Sequence, residues 1–199
     1  MFLNTFSSPA TPANRPSAPL ASGLIAGTMV ETQRGWTPVE NLRLGDRVQS
    51  FDGGACPILA LDRNWTTLSP DAHVIRVPGG VLDTCNDLTL MPGQHILIDT
   101  FGDAMLPDAA LVLIPATALT GWRGTQRIAV TKAVEIITPL FAAEEMIFAN
   151  TGAMIRCPAV ASVATAPMQS DFIRLDLLQA WALLSRLNGG TQEAVRMVA

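Results

Sequence analysis

Apolar positions along the chain fall into short runs rather than long stripes. Residues 29–32, 47–51, 58–61, 73–77, 95–98, 111–114, 127–131, 134–137 and 145–149 are each rich in β-branched and large apolar side chains. Turn-forming groups separate them: Arg34-Gly35, Asp52-Gly53-Gly54, Pro78-Gly79-Gly80, Pro92-Gly93 and Thr151-Gly152. Many short strand-like runs, closely spaced and punctuated by Gly and Pro, predict an all-β domain. Two short helical turns are expected inside it, at 39–42 ahead of Gly45-Asp46 and at 115–119 ahead of Gly121. No internal repeat is visible.

The pattern changes at both ends. Residues 1–21 are rich in Ser, Pro, Ala and Asn. Such a segment buries too little apolar area to offset the entropy of ordering, so a flexible arm is expected there. The β domain is placed at 22–160, a small-residue linker at 161–169, a helix at 170–190 and a tail at 191–199. Ser170 or Asp171 offers a start for the helix and Gly189-Gly190 a stop. Phe172, Leu175, Leu178, Trp181 and Leu184 recur along it, widened by Leu177, and predict an amphipathic helix. Its polar positions, Arg174, Asp176, Gln179 and Arg186, carry too little positive charge for a lipid surface. The helix is therefore expected to dock on its own domain or on a second copy.

Composition narrows the classes. The chain has 199 residues, 49% hydrophobic and 15% charged, a balance that opposes disorder over most of its length. Net charge is −4 and no basic cluster occurs, so nucleic-acid binding has no electrostatic support. No apolar run reaches the roughly 18–20 residues that span a bilayer. The N-terminus does not read as a Sec signal peptide, which leaves the cytoplasm as the default expectation, with signal-less export open. Cys56, Cys85 and Cys157 are not spaced as metal ligands or as a disulfide framework. With only His73 and His95 as further soft ligands, neither a metal nor a cofactor is expected. Phosphate-binding, dinucleotide-binding, serine-hydrolase and zinc-protease motifs are all missing from the sequence.

One long ordered pattern remains. From Gly23 to Gly53 the chain reads GLIAGTMVETQRGWTPVENLRLGDRVQSFDG. Gly27-Thr28 leads into the run at 29–32, Gly35 turns the chain, Val39 and Leu42 pin a short helix, and Gly45-Asp46 launches the next strand. This stretch resembles the opening block of Hint domains, the fold of hedgehog autoprocessing domains and inteins. LTLMPGQHILI, residues 88–98, is similar to the second block of that family, with His95 at the position of its histidine. LIPATAL and EEMIFANTG resemble the variant common in bacterial stand-alone Hint proteins. The resemblance covers about residues 22–160. It implies a compact horseshoe of short strands, with the C-terminal helix outside it.

The family's chemistry follows from the same resemblance. The first residue's thiol or hydroxyl attacks the preceding carbonyl, an N-to-S or N-to-O acyl shift. The histidine protonates the departing nitrogen. Here the nucleophile position falls on Gly23, which has no side chain. Ser22 carries a hydroxyl one residue earlier, a displacement of about 3.5 Å along the chain. Pro92 stands where a Thr or Ser is usual, and no Asn-Cys end occurs near Cys157. Two expectations result. One is a Hint domain that has lost self-cleavage and serves as a binding or structural module for an unknown protein partner. The other is an autoprocessing peptidase that cleaves near residues 21–23 with Ser22 as nucleophile and His95 as acid. His95 is otherwise a half-buried strand-edge histidine. Asp99 and Asp103 are candidate carboxylate partners for it.

Overall fold

The computed structural model describes residues 21–66, 70–100, 111–161 and 172–197, with 189–197 described for their backbone path alone. Most of the expected arm and linker therefore lie outside the described residues. The strands are β1 (Leu24–Ile25), β2 (Met29–Thr32), β3 (Gly35–Pro38), β4 (Arg47–Ser50), β5 (Gly54–Pro57), β6 (Ala60–Trp65), β7 (His73–Val77) and β8 (Leu88–Leu90). They continue as β9 (His95–Asp99), β10 (Leu111–Pro115), β11 (Gln126–Ala129), β12 (Glu135–Leu140), β13 (Glu145–Ala149), β14 (Ala153–Cys157) and β15 (Ile173–Arg174). One long helix, α1 (Leu177–Met197), closes the order.

These strands form two open sheets. The first runs β11-β7-β8-β1-β12-β6; the second runs β15-β10-β9-β14-β13-β2-β4-β5, with β3 paired to β2. Neighbours are antiparallel except β10 and β15, which are parallel. The all-β expectation holds, and the two short helical turns are 3₁₀ turns at Val39–Asn41 and Ala116–Leu119.

Local chemistry sets where the chain changes sheets. β8 belongs to the first sheet and β9 to the second, and Met91-Pro92-Gly93-Gln94 makes the crossing. Gln94 N–H donates to Met91 O at 3.0 Å, closing a turn with Pro and Gly at its centre. β9 and β10 carry continuous apolar runs because both faces are covered. Ile96, Ile98, Val112 and Ile114 enter the main core, while Leu97 and Leu113 join Met146 in a separate cluster. Successive side chains point to opposite faces.

The C-terminal helix differs from its expectation. It begins at Leu177 rather than at 170, and it continues past Gly189-Gly190. Ile173 and Arg174 are extended and pair with Val112 and Leu113. Asp176 and Gln179 form a reciprocal cap: Asp176 N–H donates to Gln179 Oε1 at 2.9 Å, and Gln179 N–H to Asp176 Oδ1 at 2.8 Å. The buried face is Ala180, Leu183 and Leu184, with Leu187 packed beside it. Leu178 is 72% exposed and Trp181 45%. A run at strict spacing three winds around a helix of 3.6 residues per turn. The face at i, i+3, i+4 and i+7 is the one that stays in register with β10 and the turn at Ala116–Leu119.

Candidate functional site

The position expected to hold a nucleophile sits where the two sheets meet. β1 lies between β8 and β12 in the first sheet, so its two residues are central despite their brevity. Gly23 precedes it. β9 and β14 run side by side in the second sheet and bring His95, Arg156 and Cys157 to the same junction. Ser22, Gly23, Gln94, His95, Thr138, Arg156 and Cys157 line one cavity of about 30 Å³, room for about one water molecule.

Gly23 is held on every side. Its N–H donates to Gln94 Oε1 at 2.9 Å in a buried bond. Its φ is +121°, and a Cβ added there meets Ile136 Cγ2 at 2.4 Å and Thr138 Oγ1 at 2.8 Å. A side chain at this position therefore meets both a backbone conformation that suits glycine and a filled space. Just upstream, Gly93 N–H donates to Ala21 O at 2.9 Å.

Gln94 joins both sheets. Besides accepting from Gly23, its Nε2 donates to His95 O at 3.0 Å and to Arg156 O at 2.8 Å. The side chain is buried, and these bonds use both of its amide hydrogens and its carbonyl oxygen. Sequence reasoning passed over Gln94, although it sits between Pro92-Gly93 and His95 in the block that was singled out.

His95 opens β9 and is half-buried. Burial lowers its pKa below the ordinary imidazole value, and the positive charges of Arg156 and Arg174 add to the shift. A hydrogen bond to the Gly93 backbone and the Glu144 carboxylate oppose it. Both arginines share Glu144 Oε2, Arg156 at 2.6 Å and Arg174 at 2.5 Å, which also ties the C-terminal segment to β14. Asp99 lies at the far end of β9 from His95, and Asp103 is outside the described residues.

Cys157 is 2% exposed, and burial pushes its thiol up to about 12. It faces Glu145 across the β13–β14 ladder. That buried carboxylate accepts a hydrogen bond from Ser50 Oγ at 2.6 Å. Cys56 is raised to about 11, mainly by burial and then by its hydrogen bond to Glu145. Cys85 belongs elsewhere: it is exposed, and its N–H donates to Thr151 Oγ1 at 3.0 Å. Among the described residues no cluster of three His, Cys, Asp or Glu side chains is placed to hold a metal. No described helix is long and apolar enough to cross a membrane.

The other residues singled out in the opening block serve its turns. Gly27 N–H donates to Glu40 Oε2 at 2.8 Å, and Val39 N–H to Thr28 O at 2.9 Å. Asp46 pairs with Arg34 at 2.7 Å and accepts from Arg43 N–H at 2.9 Å. None of the three lines the cavity.

The AceL NrdHF class 3 split intein, as a GSH-linked splice-inactive variant, is similar at 14% identity and TM-score 0.48, over 70% of this chain and 99% of its own. A bacterial intein-like domain from Clostridium thermocellum is similar at 14% identity and TM-score 0.47, over 68% and 98%. The gp41-1 intein follows at 12% identity and TM-score 0.41, over 69% and 98%. No curated protein matches the chain. The Hint domain family model matches residues 22–154, from Ser22 into the start of β14, and the chain belongs to the Hint domain family.

Proposed function

We propose that this protein is a Hint domain that has given up self-cleavage and acts as a binding or structural module. The observation that carries this reading is the packing at Gly23. An acyl shift needs a nucleophile there, and the volume a side chain would occupy is filled by Ile136 and Thr138. Ser22 is displaced along the chain by about 3.5 Å, far outside the tolerance of a reacting geometry. Cys157 lines the cavity but is held as a thiol by burial, and the thiolate is the reactive form. The test is the intact mass of the purified full chain, before and after long incubation with and without a strong thiol. One unchanged mass supports the module. Loss of about 2 kDa, the order of 21–22 residues at roughly 0.1 kDa each, overturns it.

A second reading has one specific observation behind it. Ser22 and His95 line the same cavity, and Gly93 N–H polarises the carbonyl of Ala21. In this reading Ser22 Oγ gives up its proton and attacks that carbonyl, His95 protonates the departing nitrogen of Ser22, and water or an added thiol then cleaves the resulting ester to release the segment that ends at Ala21. His95→Ala then abolishes cleavage while leaving the fold intact.

A further inference from the structure

A second, larger cavity shares no residue with the one at the junction. It measures about 210 Å³ and is lined by Thr32, Gln33, Arg34, Gly45, Asp46 and Arg47. One wall is the turn from β2 to β3, the other the approach to β4. Backbone bonds fix both walls. Gln33 N–H donates to Arg47 O at 3.1 Å and so ties one wall to the other. Gly45 N–H donates to Ile58 O at 2.9 Å, and Asp46 N–H to Arg43 O at 3.1 Å. Arg34 N–H donates to Thr32 Oγ1 at 3.2 Å, and that hydroxyl donates to Gly35 O at 2.8 Å. The cavity is therefore formed before anything enters it, which lowers the cost of binding.

The charges on its walls do not balance. Asp46 is the one carboxylate among the lining residues, and both of its oxygens are engaged. Oδ1 accepts from Arg34 Nη2 at 2.7 Å, and Oδ2 accepts from Arg43 N–H at 2.9 Å. Arg34 spends one of its five N–H groups on that bond, and its side chain stays 71% exposed. Arg47 has neither an ion pair nor a side-chain hydrogen bond among the described residues. Elsewhere the protein pairs its arginines: Arg63 with Glu135, Arg76 with Asp87, and Arg156 and Arg174 with Glu144. Two guanidiniums against one satisfied carboxylate leave a positive site on a chain of net charge −4.

The donors on offer select the ligand. The N–H groups of Gln33, Arg34, Gly45 and Asp46 are used within the protein. They form no fan of open backbone amides of the kind that grips a phosphate. Recognition falls to the two planar guanidiniums, and each matches a carboxylate through paired N–H···O bonds. One group on each wall suits two carboxylates carried on one backbone.

We propose that the cavity between Arg34 and Arg47 binds an acidic peptide segment of a partner protein, its carboxylates paired with the two guanidiniums. The net negative charge of the chain opposes such a partner at long range, so binding is weak and falls with added salt. The site is separate from Gly23 and holds whether or not the chain cleaves itself.

Titration of the isotope-labelled full chain with a blocked tetraglutamate peptide, at low salt and neutral pH, tests this by amide chemical shifts. Saturating shifts at Gln33, Arg34 and Asp46 are expected, and a blocked tetraglutamine peptide is expected to give none. The Arg47 side chain makes no bond within the protein, so Arg47→Gln keeps the fold; it is expected to weaken binding about tenfold. Arg127→Gln removes the same charge from exposed β11, outside both cavities, and is expected to stay within about twofold of the unmodified chain. Absence of saturating shifts in the unmodified chain overturns the proposal, as does equal weakening by the two substitutions. Inorganic phosphate at the same concentration is expected to leave those amides in place. If it reproduces the shifts, the occupant is a free anion and the peptide proposal falls.

Discussion

Gly23 donates its backbone N–H to Gln94 Oε1 at 2.9 Å, and this buried bond links the first residue of the Hint block to the turn that crosses between the sheets. Replacing Gln94 by Leu leaves the Gly23 N–H unpaired and frees the bonds to His95 O and Arg156 O. Each buried group so stranded costs about 1–3 kcal/mol. Gln94→Leu is expected to lower the urea midpoint markedly and to speed hydrogen exchange at the Gly23 amide. An unaltered exchange rate there would show that the bond does not form in solution.

Gly23→Ala probes the packing that carries the functional reading. Ile136 Cγ2 belongs to a β-branched side chain with little freedom to swing away, so the added methyl is expected to cost about 1–3 kcal/mol. Ile136→Ala removes the obstructing atom. In a double-mutant cycle, the pair is expected to show a favourable coupling of about 0.5–3 kcal/mol. Strict additivity would refute the clash.

The three thiols are expected to separate by reactivity. A short pulse of alkylating reagent near neutral pH modifies the exposed Cys85, reaches Cys56 slowly, and spares Cys157. The order follows because the thiolate is the nucleophile and burial holds Cys56 near 11 and Cys157 near 12. Peptide mapping reads the outcome. Rapid labelling of Cys157 in the folded chain would mean that the cavity opens.

His95 gives a pH signature with a definite sign. Its folded pKa lies below the unfolded value of about 6.5. The unfolded chain therefore binds more protons than the folded one between those two values, and stability falls as pH drops through that window. His95→Gln lacks this titration. Relative to it, the unmodified chain is expected to lose stability as pH falls through the unfolded value of about 6.5, measured as urea midpoints at each pH. Parallel profiles for the two chains would count against the lowered pKa.

The register of α1 predicts a contrast between two leucines five residues apart. Leu183 is fully buried, and Leu183→Ala is expected to cost about 2–5 kcal/mol. Leu178 is largely exposed, and Leu178→Ala is expected to fall within about 0.5 kcal/mol of the unmodified chain. Similar losses at both sites would point to a second surface covering the exposed face.

Much of this architecture was legible in the chain because β patterning and turn chemistry agree over residues 23–160. The runs that became β2, β7 and β13 were read with their observed bounds, and that of β10 to within one residue, since each is framed by Gly, Pro or polar residues. β1 was missed because two residues carry no periodicity; its place is set by β8 and β12 on either side. The helix start was misplaced although its signal was present. Asp176 and Gln179 stand at cap-box spacing, whereas Ser170 and Asp171 have Ile173 and Arg174 at that distance. At the site, Gly23 and His95 were marked by the family pattern, and Ser22 by its hydroxyl one residue before Gly23. Gln94, Thr138 and Arg156 were not, since their meeting depends on pairings between strands distant in sequence.

The filled space beside Gly23 also bears on how this chain can change over generations. A single substitution that places a hydroxyl or thiol there must first accommodate a strained backbone and two displaced neighbours, so it arrives as a folding defect before it can be of use. A reactive group at this position requires position 136 or 138 to shrink beforehand, so the glycine is held in place by its neighbours as much as by its own backbone.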